Sequence, residues 1–237
     1  MATGKEISHS AGARSCKGYL ADGSGGRRAP GVLVLHEGNG LTANTRSKCD
    51  SLAAMGYVAF AVDMFGDDLQ SPDKAMSVLG ALVQDNAEWR ARLNTGLDAL
   101  RAQANVDGAR LAAIGFCFGG SSAIELARSG ADVKAVVGFH SGLGSGVPAD
   151  SRNIRGSVLV CIGDADPLIP KEQRDSFMAN MAEAGVDCQM LLLTGVEHSF
   201  TNKDAAAIGM AGLKYDARAE RRSWAAMKDL FDEAFAA

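Results

Sequence analysis

Residues 110–120 read RLAAIGFCFGG, an apolar run that stops at Gly115-Phe116-Cys117-Phe118-Gly119-Gly120. Arg110 to Gly115 has the composition of a buried strand, and Gly119 to Arg128 reads as the helix behind it. The junction matches a G-x-S-x-G nucleophile elbow with cysteine in the serine position. The chemistry explains the glycines: a nucleophile held in a strained turn needs small neighbours two residues to either side. Such a turn lifts the sulfur above the strand end and sets it at a helix N-terminus, where the dipole and the amides favour thiolate. A free thiol has a pKa of about 8.5, so that help counts near neutral pH. Taken alone, a glycine-rich turn with a buried cysteine explains the same residues equally well.

Outward from the elbow, short apolar runs alternate with amphipathic stretches. Gly31 to His36 (GVLVLH) is a buried strand behind Pro30; a helix ends across Leu52 to Met55, and Gly56 leads into the strand Tyr57 to Val62. A helical region covers about Pro72 to Ala104, with Leu93, Leu97 and Leu100 at core spacing. Val133 to Phe139 and Ser157 to Ile162 are strands, separated by a surface loop, Ser141 to Arg155, rich in Gly, Ser and Pro. A helix from Lys171 to Ala184, a strand from Cys188 to Leu193 and a helix from Lys214 to Phe235 complete the chain. The pattern predicts an α/β fold, a mostly parallel twisted sheet with helices on both faces. It also predicts a single domain over 1–237, with 1–14 as a polar N-terminal tail.

Composition narrows the function. With 47% of its 237 residues hydrophobic, the chain can bury a substantial core. Its 24 basic and 28 acidic residues give a net charge of -4, which argues against nucleic acid as a partner. Arg218, Arg221 and Arg222 are interleaved with Asp216 and Glu220, as on a solvated helix face. No apolar run approaches the ~20 residues that span a bilayer, so no membrane is expected. The N-terminus lacks the apolar core of a signal peptide. Five cysteines without a CxxC pair suggest reduced thiols in a cytoplasm and no metal site. Cys16, Cys49, Cys161 and Cys188 read as small hydrophobes, and no cofactor is implied.

The remaining strand ends supply an acid and a base. Ser157 to Ile162 runs into Gly163-Asp164-Ala165-Asp166-Pro167, and Cys188 to Leu193 runs into Glu197-His198-Ser199-Phe200. Both fall just past C-terminal strand ends, where open α/β sheets carry their sites. The order nucleophile, acid, histidine is that of α/β-hydrolases. Asp166 is the expected acid, holding His198 in its useful tautomer, while Asp164 is expected to brace its loop. His9 lies in the polar tail. His36 and His140 stand at strand ends, as pocket lining or as structural histidines. Phe65, Phe116, Phe118 and Phe200 lie near the motifs and suit a neutral aromatic substrate, although core packing explains them too.

HEGNG at His36 to Gly40, AVDMFGD at Ala61 to Asp67, GFCFGG at Gly115 to Gly120, GDADPLIP at Gly163 to Pro170 and EHSF at Glu197 to Phe200 occur in this order. With these motifs the chain resembles the dienelactone hydrolase family of α/β-hydrolases, from about Gly31 to Phe235. The resemblance implies the α/β-hydrolase fold and a triad of Cys117, Asp166 and His198. It further implies that Glu37 accepts a proton from the cysteine, and that the N–H groups of Phe118 and Gly38 form an oxyanion hole. Loss of one such donor typically costs ~10²–10³ in rate.

One position departs from the family. Dienelactone-cleaving members carry an arginine four residues after the histidine, to bind the substrate carboxylate; Asn202 stands there instead. A neutral amide cannot supply that charge-assisted pairing. Arg90 or Arg92 could compensate, but both are expected on a solvated helix face. The expected activity is cleavage of carboxylic esters or lactones through a thioester, with neutral phosphotriesters as the alternative. The chain also resembles, more loosely, the family's promiscuous phosphotriesterases. A non-catalytic ligand-binding scaffold would have no need of Cys117, Asp166 and His198 together, and a redox sensor would want a resolving cysteine near Cys117. The expected partner is a small-molecule ester or phosphotriester, and a homodimer is left open.

Overall fold

The computed structural model describes residues 4–11, 14–66 and 72–236. In chain order its elements are β1 (Lys5–Ala11), β2 (Arg14–Asp22), β3 (Ala29–Leu35), α1 (Ala43–Ala54), β4 (Val58–Val62), α2 (Pro72–Gln84) and α3 (Asn86–Arg101). They continue with β5 (Val106–Phe116), α4 (Phe118–Arg128), β6 (Ala135–Phe139), β7 (Ser157–Gly163), α5 (Lys171–Glu183), β8 (Cys188–Leu193) and α6 (Ala217–Ala236). The chain forms two compact units, Met1–Ala113 and Ile114–Ala237, and the division falls inside β5.

In the first unit the strands neighbour one another in the order β1-β2-β4-β3-β5. β3 and β4 run parallel, whereas β1–β2 and β2–β4 are antiparallel. Every residue of β4 is buried, as a parallel strand covered on both faces requires. The stretch read as a polar tail contains β1, which is a correction; residues 1–3 and 12–13 lie outside the described residues. Its sequence, KEISHSA, holds no apolar run, yet His9 and Ala11 alternate inward with period two. His9 is buried, and its Nε2 accepts the Asp63 N–H at 3.2 Å.

The single helical region breaks in two. Asp85 accepts the Glu88 N–H at 3.0 Å and so caps the start of α3. From there Trp89, Leu93, Leu97 and Leu100 point inward, each leucine contributing about 1.5–3 kcal/mol by burial. Gly96 allows α3 to lie close on β4, since a Cβ there would come 2.8 Å from Val62 Cγ2. Arg92 is not on a solvated face, contrary to expectation. It is buried, with Nη1 donating to the Met64 carbonyl at 2.6 Å and Nε donating to Glu88 at 2.7 Å. Arg90, two residues earlier, is half-buried.

In the second unit the order is β5-β6-β7-β8, with β6–β7 and β7–β8 parallel. β8 stands last in that order, and its Leu192 is 48% exposed. The stretch 141–155 is more than a surface loop. It includes a 3-10 turn, Pro148–Asn153, whose buried Ser151 hydroxyl receives Arg128 Nε at 3.1 Å and donates to Asn180 Oδ1 at 2.6 Å. α6 turns Ala219, Ser223, Met227, Leu230 and Phe231 inward and leaves Arg218, Arg221 and Arg222 exposed. Among the described residues, no helix is long and apolar enough to cross a membrane.

Candidate active site

Cys117 sits between β5 and α4 with φ 54° and ψ −119°, a conformation that L-residues rarely adopt. Strain of this kind costs on the order of 1–3 kcal/mol and persists where the surroundings enforce it. The flanking glycines make room for the tight turn. A Cβ on Gly115 would lie 1.9 Å from the Gly119 carbonyl oxygen, and one on Gly120 would lie 1.8 Å from Ser141 Oγ. The Cys117 carbonyl accepts the Gly120 N–H at 2.9 Å, closing the first turn of α4. The Cys117 N–H is shared between the Phe139 carbonyl at 3.0 Å and His140 Nδ1 at 3.1 Å. Phe118 opens α4, where first-turn amides have no acceptor within the helix.

β7 and β8 deliver the other two members. Gly163 permits a close crossing, because a Cβ there would meet the Val196 carbonyl oxygen at 2.0 Å. Beyond it Asp166 is buried, with Oδ1 accepting the Leu168 N–H at 2.8 Å and Oδ2 accepting from His198 Nδ1 at 2.7 Å. The carboxylate fixes the proton on Nδ1 and leaves Nε2 as the ring's other nitrogen. The backbone of His198 is held on both sides, its N–H donating to the Gly212 carbonyl and its carbonyl accepting the Lys214 N–H, both at 2.9 Å. Asp164, by contrast, is exposed and braces the loop by accepting the Gly195 N–H.

Electrostatics couples His198 to the cysteine. Desolvation alone would push its pKa down, but the hydrogen bond to Asp166 and the interaction with Cys117 outweigh it and raise the pKa to about 10. Nε2 is buried with no partner at ordinary hydrogen-bonding geometry, while Cys117 lies near enough to raise its pKa. The imidazole is thereby biased towards its protonated form.

The other expected site residues of this unit are mostly core. Phe116 stacks on Phe139 with centroids 4.9 Å apart, and neither Phe116 nor Phe200 exposes any surface. They pack beneath the site and do not line an opening. His140 is also fully buried, edge-on to His198 at 5.0 Å and to Phe200 at 5.1 Å. Asn202 is buried, and its Oδ1 accepts the Asp204 N–H at 2.9 Å. Thr201 was not expected from the sequence; its hydroxyl lies 2.8 Å from His140 Nε2. No local signal marks it, since its partner is 61 residues away.

The first unit holds the remainder. His36 is fully buried, and its Nε2 accepts the Met64 N–H at 3.1 Å, so its Nδ1 carries the proton and donates to the Glu37 carbonyl at 2.7 Å. Burial, opposed by that backbone bond and by Asp63, lowers its pKa and keeps it neutral. Glu37 is a buried carboxylate, not a solvent-facing one, with Oε2 3.5 Å from Asn44 Nδ2. Gly38 has Leu79 Cδ1 3.0 Å from where a Cβ would stand. Phe65 is fully buried, edge-on to His36 at 4.6 Å. Asp63 fixes that turn by accepting the N–H groups of Phe65 and Gly66 at 2.9 and 3.1 Å; Asp67, the last residue of its motif, lies outside the described residues. Among the described residues, no three His, Cys, Asp or Glu side chains gather as metal ligands.

The model of the dienelactone hydrolase family matches residues 16–235. A solved dienelactone hydrolase-like promiscuous phosphotriesterase from metagenomic libraries is 41% identical, covers 98% of each chain and superposes with a TM-score of 0.94. The solved protein m3DLH is 44% identical over 98% of each chain, with a TM-score of 0.93. An uncharacterised protein of Caenorhabditis elegans is 36% identical over 154 residues, which is 64% of this chain and 97% of that protein.

Proposed function

The chain belongs to the dienelactone hydrolase family and is an ester hydrolase, and from that premise we propose that it cleaves carboxylic esters or lactones through a covalent thioester at Cys117. The observation that carries this reading is the buried Asp166–His198 pair at 2.7 Å, whose imidazole is made strongly basic in part by Cys117.

In this mechanism the Cys117 thiolate adds to the carbonyl carbon, and the C=O electron pair moves onto oxygen. The N–H groups of Phe118 and Gly38, assigned by their places in the family motifs, steady that oxyanion. Collapse breaks the C–O bond to the alcohol, which leaves with the Nε2 proton of His198. In the resting ion pair the thiol proton already resides on His198; where the sulfur starts as a thiol instead, we assign its removal to the buried Glu37, which gives that proton back to solvent before the next turnover.

Acylation then reverses the electrostatics. Once the sulfur is bonded to the acyl group, the thiolate's contribution to the His198 pKa disappears, and desolvation acts against Asp166 alone. The histidine becomes a weaker acid-holder and a usable base. It takes a proton from water, hydroxide adds to the thioester, and collapse releases the acid and restores the ion pair. Asn202, in the place of a carboxylate-binding arginine, favours neutral substrates over dienelactones.

A second reading, hydrolysis of neutral phosphotriesters by the same residues, is supported by the similarity to the promiscuous phosphotriesterase. There the thiolate adds to phosphorus and an aryl oxide departs with the His198 proton. Five free thiols suit a reducing compartment, and on that ground we place the enzyme in the cytoplasm.

Chromogenic aryl esters, lactones and aryl phosphotriesters, offered to wild type and Cys117→Ala, test both readings. Ester and lactone turnover should fall at least ~10³-fold in the variant. Ester turnover that survives would overturn the thioester route; phosphotriester turnover that survives would overturn the second reading.

A further inference from the structure

His140 is too deeply buried to touch a substrate, yet it makes two directed hydrogen bonds into the site. Its Nδ1 faces the Cys117 N–H at 3.1 Å, so that nitrogen must be the acceptor. The proton therefore sits on Nε2, which donates to Thr201 Oγ1 at 2.8 Å. Thr201 is also fully buried, and it stands three residues after His198. The backbone of His140 is itself pinned, its N–H donating to the Cys161 carbonyl at 2.9 Å.

Backbone strain marks the same line of residues. Among the described residues, the non-glycine residues with positive φ are Cys117 at 54°, His140 at 41° and Ser199 at 55°. They are the nucleophile, its neighbour across the hydrogen bond, and the residue that follows His198. Strain persists only where surrounding structure over-determines it, so all three are held for a reason other than local preference.

We propose that His140 is a positioning residue for the reaction, a neutral strut that ties the Cys117 elbow to the loop carrying His198. The strut acts through backbone: it holds the Cys117 amide at one end and the Thr201 hydroxyl at the other. It thereby sets the separation of sulfur and Nε2, which no direct hydrogen bond of ordinary geometry fixes. Only a neutral imidazole can do this, because a second ring proton would confront the Cys117 N–H. The ring also lies edge-on to His198 at 5.0 Å, where a second cation would oppose the imidazolium. The inference rests on the thiolate reading of Cys117.

Separate substitutions can cut each end. In Thr201→Val the shape is kept but the acceptor is lost; Thr201→Ser keeps the hydroxyl. His140→Asn places an amide oxygen near Nδ1, suits the left-handed backbone, and abandons Thr201. Steady-state kinetics with a neutral aryl ester and the rate of Cys117 alkylation would be measured for each, beside Cys117→Ala. We expect kcat to fall about tenfold or more in Thr201→Val and His140→Asn, with KM little changed, since misplacement of ~1 Å can cost 10²-fold. Thr201→Ser should recover most of the rate, and the double variant Thr201→Val with His140→Asn should be no worse than either single one. Wild-type kcat in Thr201→Val, a loss confined to KM, or losses that multiply in the double variant would overturn the strut. Activity retained by Cys117→Ala would instead overturn the thiolate reading beneath it. If His140→Asn does not fold, the contrast between valine and serine at Thr201 still decides.

Discussion

Cys117 differs from the other cysteines in what surrounds its sulfur. Burial drives the thiols of Cys49 and Cys161 far above the ordinary range, and burial together with Asp187 pushes Cys188 up to about 12. Cys16 is buried as well, whereas Cys117 is half-buried at the start of a helix beside an imidazolium. Iodoacetamide at about pH 7 should therefore label Cys117 well ahead of the other four, and peptide mapping would show it. The sign of the pH dependence follows from His198. Its raised pKa keeps the imidazolium intact below about 10, so ester turnover should decline as pH climbs through that value and the leaving alcohol loses its proton donor. Equal labelling of all five cysteines would contradict this picture. At this scale Cys117, Asp166 and His198 were legible because each lies in a contiguous motif at a strand end. The tie from His140 to Thr201 was not, because its ends are 61 residues apart and neither has a local pattern. The phenylalanines were ambiguous for a different reason: nothing in sequence distinguishes a ring beneath a site from a ring facing it.

At the scale of elements, strand and helix identities followed apolar periodicity, and errors arose where periodicity was silent. β1 is mostly polar, even at inward-facing His9, and it is held by pairing with β2, a partner the local sequence does not announce. The break between α2 and α3 carries neither glycine nor proline; the apolar spacing continues through it, and only the Asp85 cap divides it. Asp85→Ala should remove that cap and lower unfolding stability by about 1 kcal/mol, read by denaturant titration, with ester turnover unaffected. An unchanged midpoint would show that α3 is anchored by its leucines alone. Arg92 belongs to the same lesson: a charged residue on a helix was assigned to solvent, but the Met64 carbonyl gave it a partner inside.

For the whole molecule, the family motifs carried the assignment because they name loops at strand ends, and the sheet order supplies those ends. The order also finishes somewhere. β8 is the last strand, and its sequence CQMLLL has no charge, no proline and no bulge to discourage another chain from adding to it. During synthesis or heating, when neighbouring segments loosen, that ribbon is a template on which unrelated or identical chains can lay a further strand. The protein's practical ceiling on concentration would then be set at this margin, far from anything that catalysis selects. Leu192→Lys puts a charge at its exposed apolar position and should raise the temperature at which turbidity appears while leaving ester turnover intact. Unaltered turbidity would place the weak point elsewhere. A cell that makes this enzyme in quantity would otherwise have to lean on chaperones, or on a partner, to keep that margin covered.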